Sequence, residues 1–482
     1  MTAAPLSSAP APGIRALLAI AAFGVALRLA LLFAAGELEL LSDETRYVYL
    51  ALHWNHFGYY PDTHRYLWPP GYAFLLAQAM QHFGFSGLFA LRLLQALACG
   101  AAGVAIASIA QRLFGARAAR LAAWIWCLYL PLIGFSHELR TETFFLASFA
   151  PALLLLLALL AEPERPPERR LVAAGALFAA GLYLKEAPQF LSPLLALLIA
   201  WRAPGPGWRE GLRRASLFLL VQAVLIAPWT LRNAEVYGRF VPVASSIGEN
   251  AFVGLNGFYR NYELNSYARS FLDQPTPLDA SRRWFIEPPA RPFWERADAI
   301  QNTPDRMSEN LRRGLAYAAA EPAWFLRSRI KKLADLVVPS SFFLRRLGLR
   351  GYQGSALERD GLRQALIVWA LAGPLLLLPL ALAGFALLRL RAGERACVAL
   401  VLGYFGATAL LVSMTRFRVP MLPLLIPLAA GLLARGVPAA PRGRGRLAAA
   451  SLALFALGFL WWVDWPELRL AVDYAWNLRR LS

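Results

Sequence analysis

Charge is scarce in this chain. Only 16% of its 482 residues are Asp, Glu, Lys or Arg, whereas a soluble domain carries about a quarter. That shortage argues against a water-soluble fold. Cysteine is scarcer still: the three present, Cys99, Cys127 and Cys397, all lie inside apolar runs. No disulfide framework and no Cys-based metal site follows from them. Acidic residues are outnumbered, 30 against 49 Lys and Arg, leaving a net charge of +19. The first apolar stretch is not followed by a signal-peptidase-like site, so it reads as a retained span rather than a leader.

What the sequence has in quantity is apolar length. Hydrophobic residues make up 58% of the chain, and they gather into runs of about the 20 residues that a helix needs to cross a bilayer. Leu17 to Phe33, Leu88 to Ala110, Phe144 to Ala161, Leu366 to Leu388 and Leu447 to Val463 are examples. Backbone groups in lipid must be satisfied within the segment, so the runs read as helices. The fold expected is an all-α membrane protein of about eleven transmembrane helices. The positive charges sit in short links between runs, as the positive-inside rule requires of cytosolic loops. They speak for a lipid bilayer as the surroundings and against nucleic acid as a partner.

Counting outward from a cytosolic start divides the chain as follows. Residues 1–13 form an unstructured Ala/Pro/Ser-rich tail. Residues 14–231 form an N-terminal transmembrane module whose first outer loop spans 36–85. A long extracytoplasmic segment covers 232–362, a C-terminal module 363–463, and an outer tail 464–482.

With this topology the unusual ionisable groups emerge on the outer side. They are Asp43, Glu44, Arg46 and Tyr47 in the first loop; His137, Glu138, Arg140 and Glu142 in the next outer link; then Lys185 and Glu186, Arg232 and Asn233, and Arg416 and Arg418. Ionisable groups near membrane depth are costly and mark sites or pathways. Ordinary interfacial loop charge is the alternative for any single one. Ser42-Asp43-Glu44 also fits a helix start, with acids in the first turn. The first loop reads as two short interfacial helices whose Tyr47, Tyr49, Trp54, Phe57, Tyr59 and Tyr60 form an aromatic belt. His53, His56, Asp62 and His64 in that loop have types suited to a divalent metal. Interfacial histidines explain them more simply, so no cofactor is firmly expected and a divalent metal stays open. In the long segment, Gly254-Leu255-Asn256-Gly257 suggests a turn, and Pro322 to Val338 a basic amphipathic helix. That helix suits either an anionic membrane surface or packing on the bundle.

These residues resemble a known family, the polytopic glycosyltransferases of the GT-C class. Within it the likeness is to the protein O-mannosyltransferase-like, family 39 group that includes the lipid A aminoarabinose transferase. The markers run in order: Asp43-Glu44 and Tyr47; Trp68-Pro69-Pro70-Gly71-Tyr72; Arg92-Leu93-Leu94; Leu113-Phe114-Gly115; Thr141-Glu142; Pro228-Trp229-Thr230-Leu231-Arg232-Asn233 with Gly238 and Pro242; and Arg416-Phe417-Arg418-Val419-Pro420. The resemblance implies a GT-C-type bundle in a bacterial inner membrane with its active site on the periplasmic side. It implies a polyprenyl-phosphate-linked sugar as donor, inverting transfer to an extracytoplasmic acceptor, and Asp43 as the catalytic base. One position departs: where some members carry Lys before the Pro-Pro pair, this chain has Trp68. Phosphate contact then falls to Arg65, Lys185, Arg232, Arg416 or Arg418.

The chemistry asks for the same set. A carboxylate must take the acceptor's proton, cations must meet the charge developing on the leaving phosphate, and an apolar groove must accept the lipid. Asp43 is the expected base, with Glu44, Tyr47, Glu138 and Glu142 as sugar- or acceptor-binding candidates. Two other classes remain open. A lipid-linked sugar flippase would line a path with the same charges, although no inverted repeat is visible. An oligosaccharide ligase or polymerase would use the cations without needing the Asp-Glu pair.

Overall fold

The computed structural model describes residues 14–41, 43–60, 68–162, 168–203, 208–244, 246, 250, 254–255, 307–436 and 444–477. The expected 1–13 tail, Ser42, Asp62, His64, Arg65 and the Asn256-Gly257 end of the expected turn lie outside these residues.

The architecture is all-α, with no strand among the described residues. In chain order the helices are α1 (Ile14–Ala35), α2 (Asp43–Phe57), α3 (Gly71–Phe83), α4 (Gly87–Phe114), α5 (Ala116–Leu128), α6 (Leu130–His137), α7 (Glu142–Ala161), α8 (Glu168–Leu182), α9 (Leu191–Arg202) and α10 (Trp208–Tyr237). There follow α11 (Met307–Ala320), α12 (Pro322–Val337), α13 (Phe342–Gly348), α14 (Asp360–Leu387), α15 (Ala392–Ala409), the 3-10 turn Thr415–Met421, α16 (Leu422–Arg435) and α17 (Arg444–Trp476).

Among the described residues, seven helical stretches are long and apolar enough to cross a membrane, or eight if the bent pair α5–α6 is one span. The other three expected segments are helical as α8, α9 and α15 but shorter or less apolar, so the expected eleven stands as a set of helices rather than as a confirmed span count. Burial separates the inside of the bundle from its rim. The Thr415–Arg435 span is 78% buried, whereas α10 and the Gly445–Pro466 stretch are 22% buried and face outward. The central helix α4 packs on α3, α5, α7 and α16.

Two differences from the sequence expectation have physical causes. Among the described residues of the first outer loop, α2 stands as a separate helix. The loop's expected second helix, α3, continues through a 3-10 turn into α4, so that Gly71–Phe114 is one apolar stretch. Its start is pinned where Gly71 N–H donates to the Tyr183 carbonyl at 2.8 Å. A Cβ at Gly71 would come within 2.6 Å of that oxygen, so the approach requires glycine. The expected outer tail after Val463 is instead helix as far as Trp476, because Asp464, Val463, Leu468, Ala471 and Ala475 are buried there. Of the two readings open for the basic helix α12, the structure takes packing on the bundle: Lys331 is 2% exposed and pairs with Asp335 and with Asp464 (2.6 Å).

The α5–α6 break bends by 52° and leaves helix carbonyls without their usual partners. Arg28, fully buried in the middle of α1, fills that gap. Its Nη1 and Nη2 donate to Cys127 O (3.5 Å) and Trp126 O (3.2 Å), and its guanidinium lies 4.1 Å from the Trp126 ring centroid. Trp126 O also accepts from Tyr129 N–H at 3.4 Å, so Arg28→Leu is expected to cost about 1–3 kcal/mol chiefly for the Cys127 carbonyl, read as a lower melting temperature in detergent; Arg28→Lys should recover part of it.

Candidate functional site

The helix ends at one pole of the bundle converge on a cavity of about 240 Å³. Each polar side chain arrives there for a local reason. Asp43 is the first residue of α2, whose opening turn holds Asp43 and Glu44, where acids complement the exposed N–H groups. Arg140 sits in the turn between α6 and α7, in which Arg140 N–H donates to Glu138 O at 2.8 Å. Glu142 opens α7. Lys185 follows the last turn of α8, its N–H donating to Gly181 O at 2.9 Å. Arg416 is carried by the 3-10 turn before α16.

The centre is Asp43. Its Oδ2 accepts from Arg416 Nη1 at 2.5 Å and from Arg140 Nη1 at 2.7 Å. Burial pushes this carboxyl's pKa up, but Arg416 and then Arg140 outweigh it, and the group is held far below the ordinary carboxylate range. Arg140 is itself fixed, with Nε donating to Glu138 Oε2 at 2.5 Å and its guanidinium 4.8 Å from the Phe342 ring centroid. Burial pushes the Glu138 carboxyl up, and Arg140 only partly offsets that. In the same lining, Lys185 Nζ donates to Glu142 Oε1 at 2.8 Å. Burial lowers the Lys185 pKa against the opposing pull of Glu142. Tyr47 lines the wall beside Trp68, ring centroids 4.6 Å apart, and both line the cavity with Phe405 and Phe417.

Of the expected residues, Asp43, Tyr47, Glu142, Lys185 and Arg416 line the cavity. Glu138 lies behind it, on Arg140. Glu44 does not reach it. Fully buried, Glu44 accepts from Arg346 Nη1 (2.7 Å) and Leu41 N (3.0 Å) through Oε2, and from Leu139 N (2.8 Å) through Oε1; Arg92 Nη2 is 3.7 Å away. Those bonds make it a brace between the first loop, the second outer link and α13.

Two expected phosphate ligands are also engaged elsewhere. Arg418 points away from Asp43 into the protein, donating to Val338 O at 2.7 Å and to Ser340 O. Arg232 donates to Tyr60 O at 3.2 Å and lies 4.9 Å from the Trp229 ring centroid. Arg418→Ala is therefore expected to act mainly as a stability variant, showing less folded protein with the activity per folded molecule changed less than in Arg416→Ala.

No group of three metal-capable side chains occurs among the described residues. His53 and His56 lie on α2, where His53 packs on Phe57 and Tyr59. Sequence reasoning did not weigh Arg346 or Arg28. An Arg in the middle of an apolar span is a signal that would have found Arg28. Arg346 has none, since its partner is 302 residues away.

Residues 68–231 match the family described as dolichyl-phosphate-mannose-protein mannosyltransferase. The chain thus resembles a GT-C class membrane glycosyltransferase of the protein O-mannosyltransferase-like group, as its motifs indicated. No curated protein matches. Among solved structures, the oligosaccharyltransferase AglB from Archaeoglobus fulgidus, in complex with an inhibitory peptide and a dolichol-phosphate, is 14% identical with a TM-score of 0.47; the match covers 96% of this chain and 56% of that one. ArnT from Cupriavidus metallidurans bound to undecaprenyl phosphate is 16% identical with a TM-score of 0.45, over 95% of this chain and 72% of that one. The chain spans about half the length of the archaeal structures it matches.

Proposed function

We propose that the protein is an inverting glycosyltransferase that moves a sugar from a polyprenyl-phosphate donor to an extracytoplasmic acceptor, a glycolipid, polysaccharide or protein. Its place would be a bacterial inner membrane, with the cavity on the periplasmic side. The observation that carries the reading is Asp43, held by Arg416 and Arg140 in a cavity that is also lined by Lys185.

In this reading the acceptor hydroxyl attacks the anomeric carbon as its proton passes to Asp43. The bond from that carbon to the phosphate oxygen breaks, and the lipid phosphate leaves carrying the electron pair. Arg416 and Lys185 meet the charge that accumulates on it. A guanidinium fork matches phosphate oxygens well. With Trp68 in place of a lysine, cation contact comes from the cations that line the cavity, and the Trp68 ring offers a flat apolar face to the sugar.

The test is transfer of label from a panel of radiolabelled polyprenyl-phosphate sugars in membranes containing the protein, with and without chelator. Label reaching an acceptor supports the reading, and the chelator arm decides whether a divalent metal takes part. Lipid movement between leaflets without transfer would replace it with the flippase reading.

A further inference from the structure

Asp43 accepts hydrogen bonds from two guanidiniums that are not equivalent, and the charge of Arg46, which also lines the cavity, acts on it as well. Arg140 is 3% exposed and immobilised: Glu138 holds its Nε, Phe342 lies under its guanidinium, and Nη1 reaches Asp43. Arg416 has a 22% exposed side chain, lines the cavity, and uses Nη1 for Asp43 while its Nε has no hydrogen-bond partner among the described residues. Both bonds fall on Oδ2 of Asp43, and Oδ1 accepts none among the described residues. The pattern repeats elsewhere in the lining, with Lys185 held by Glu142. Arg140, Arg416 and Lys185 therefore each rest on a carboxylate.

A carboxylate bonded by two guanidiniums is a poor proton acceptor. An anionic phosphodiester brought into this cavity competes with Asp43 for the more exposed of the two. Resting on the glycosyltransferase reading, we propose that Arg416 changes partners during turnover: the donor's phosphate takes it from Asp43, Arg140 stays, and the carboxylate so released accepts the acceptor's proton. Arg140 is then a positioning residue and Arg416 a phosphate ligand that holds the base in check until the donor arrives. Donor binding consequently precedes productive acceptor binding, and a water or acceptor that enters first meets a base already occupied.

The exchange is measurable without catalysis. The probe is farnesyl phosphate, a sugar-free isoprenyl monophosphate, titrated calorimetrically into the full-length protein in detergent. Four forms are compared: wild type, Asp43→Asn, Arg416→Ala and the double variant. If Asp43 and phosphate compete for Arg416, Asp43→Asn should bind the probe about tenfold more tightly than wild type, a coupling ordinary for groups in direct contact. That gain should vanish when Arg416 is Ala. An equal gain in the Arg416→Ala background would overturn the exchange, because simple repulsion between carboxylate and phosphate would explain it. Unchanged affinity in Asp43→Asn would overturn it as well. Asp43→Ser serves the same comparison if the Asn variant is poorly folded by thermal unfolding. Failure of every form to bind, in a protein that still transfers sugar, would overturn the exchange alone. Failure to bind together with failure to transfer would overturn the glycosyltransferase reading beneath it.

Discussion

Asp43→Asn should lower transfer by about 10²- to 10⁴-fold, the usual worth of a positioned general base, in protein that is folded and made at normal yield. Asn keeps the size of the side chain and an oxygen for Arg140 to bond, so the change removes basicity while disturbing packing little. Arg140 retains Glu138 as a partner at 2.5 Å, which limits the cost of the lost charge. The sign of the pH dependence follows from the two arginines. The folded Asp43 pKa lies below its ordinary value of 3.8. Its ion pairs therefore contribute fully above that value and are lost only as pH falls through the lower, folded one. A fall in kcat/KM above about pH 5 would accordingly belong to another group, and the profile in Asp43→Glu tests this directly. An unaltered rate in Asp43→Asn would remove Asp43 from the chemistry and favour a ligase-type use of the same cations.

Glu44→Gln should be the largest single loss of stability near the site, about 3–5 kcal/mol, although the residue never touches the cavity. Glu44 and Arg346 have side chains 0% and 1% exposed, so neutralising one leaves a buried charge without its counter-ion. The amide also loses part of what holds Leu41 N and Leu139 N, and those bonds set the start of α2 and hence the position of Asp43. Destabilisation should appear as a lower melting temperature in detergent and earlier proteolysis around α13. The companion test is the pair: Glu44→Gln combined with Arg346→Met should cost less than the sum of the two single changes, because the double variant buries no orphan charge. A strictly additive result would mean that the two side chains do not depend on one another. A large loss of donor affinity at normal stability would return Glu44 to the substrate.

What could be read from the sequence, and what could not, divides along physical lines. The apolar runs gave their helices because a span is a local property of about twenty residues. The place of Asp43 in the cavity was readable for a similar reason: two acids opening a helix, beside aromatic residues. The places of neighbouring residues were not. Asp43 and Glu44 are adjacent in sequence, yet one lines the cavity and the other braces α13, because a one-residue step on a helix turns the side chain by about 100°. Arg416 and Arg418 are likewise two apart, and the 3-10 turn sends the first to Asp43 and the second to the backbone of residues 336–340. Lys331 belongs to a basic stripe that suited a membrane surface equally well, and its burial depends on Asp464 in α17. Contacts across such separations exist only once the bundle has formed. Gly254 is another case: a Cβ there would come within 1.9 Å of the Leu411 carbonyl oxygen, a closeness no local pattern announces.

The most direct test of the central claim is the anomeric configuration of the transferred sugar, determined by NMR on product made by the purified protein in liposomes from one labelled polyprenyl-phosphate sugar. A single displacement assisted by Asp43 predicts transfer with inversion at the anomeric carbon. Retention would require a covalent or otherwise two-step route in which Asp43 is not the base for a direct attack, and would contradict the account.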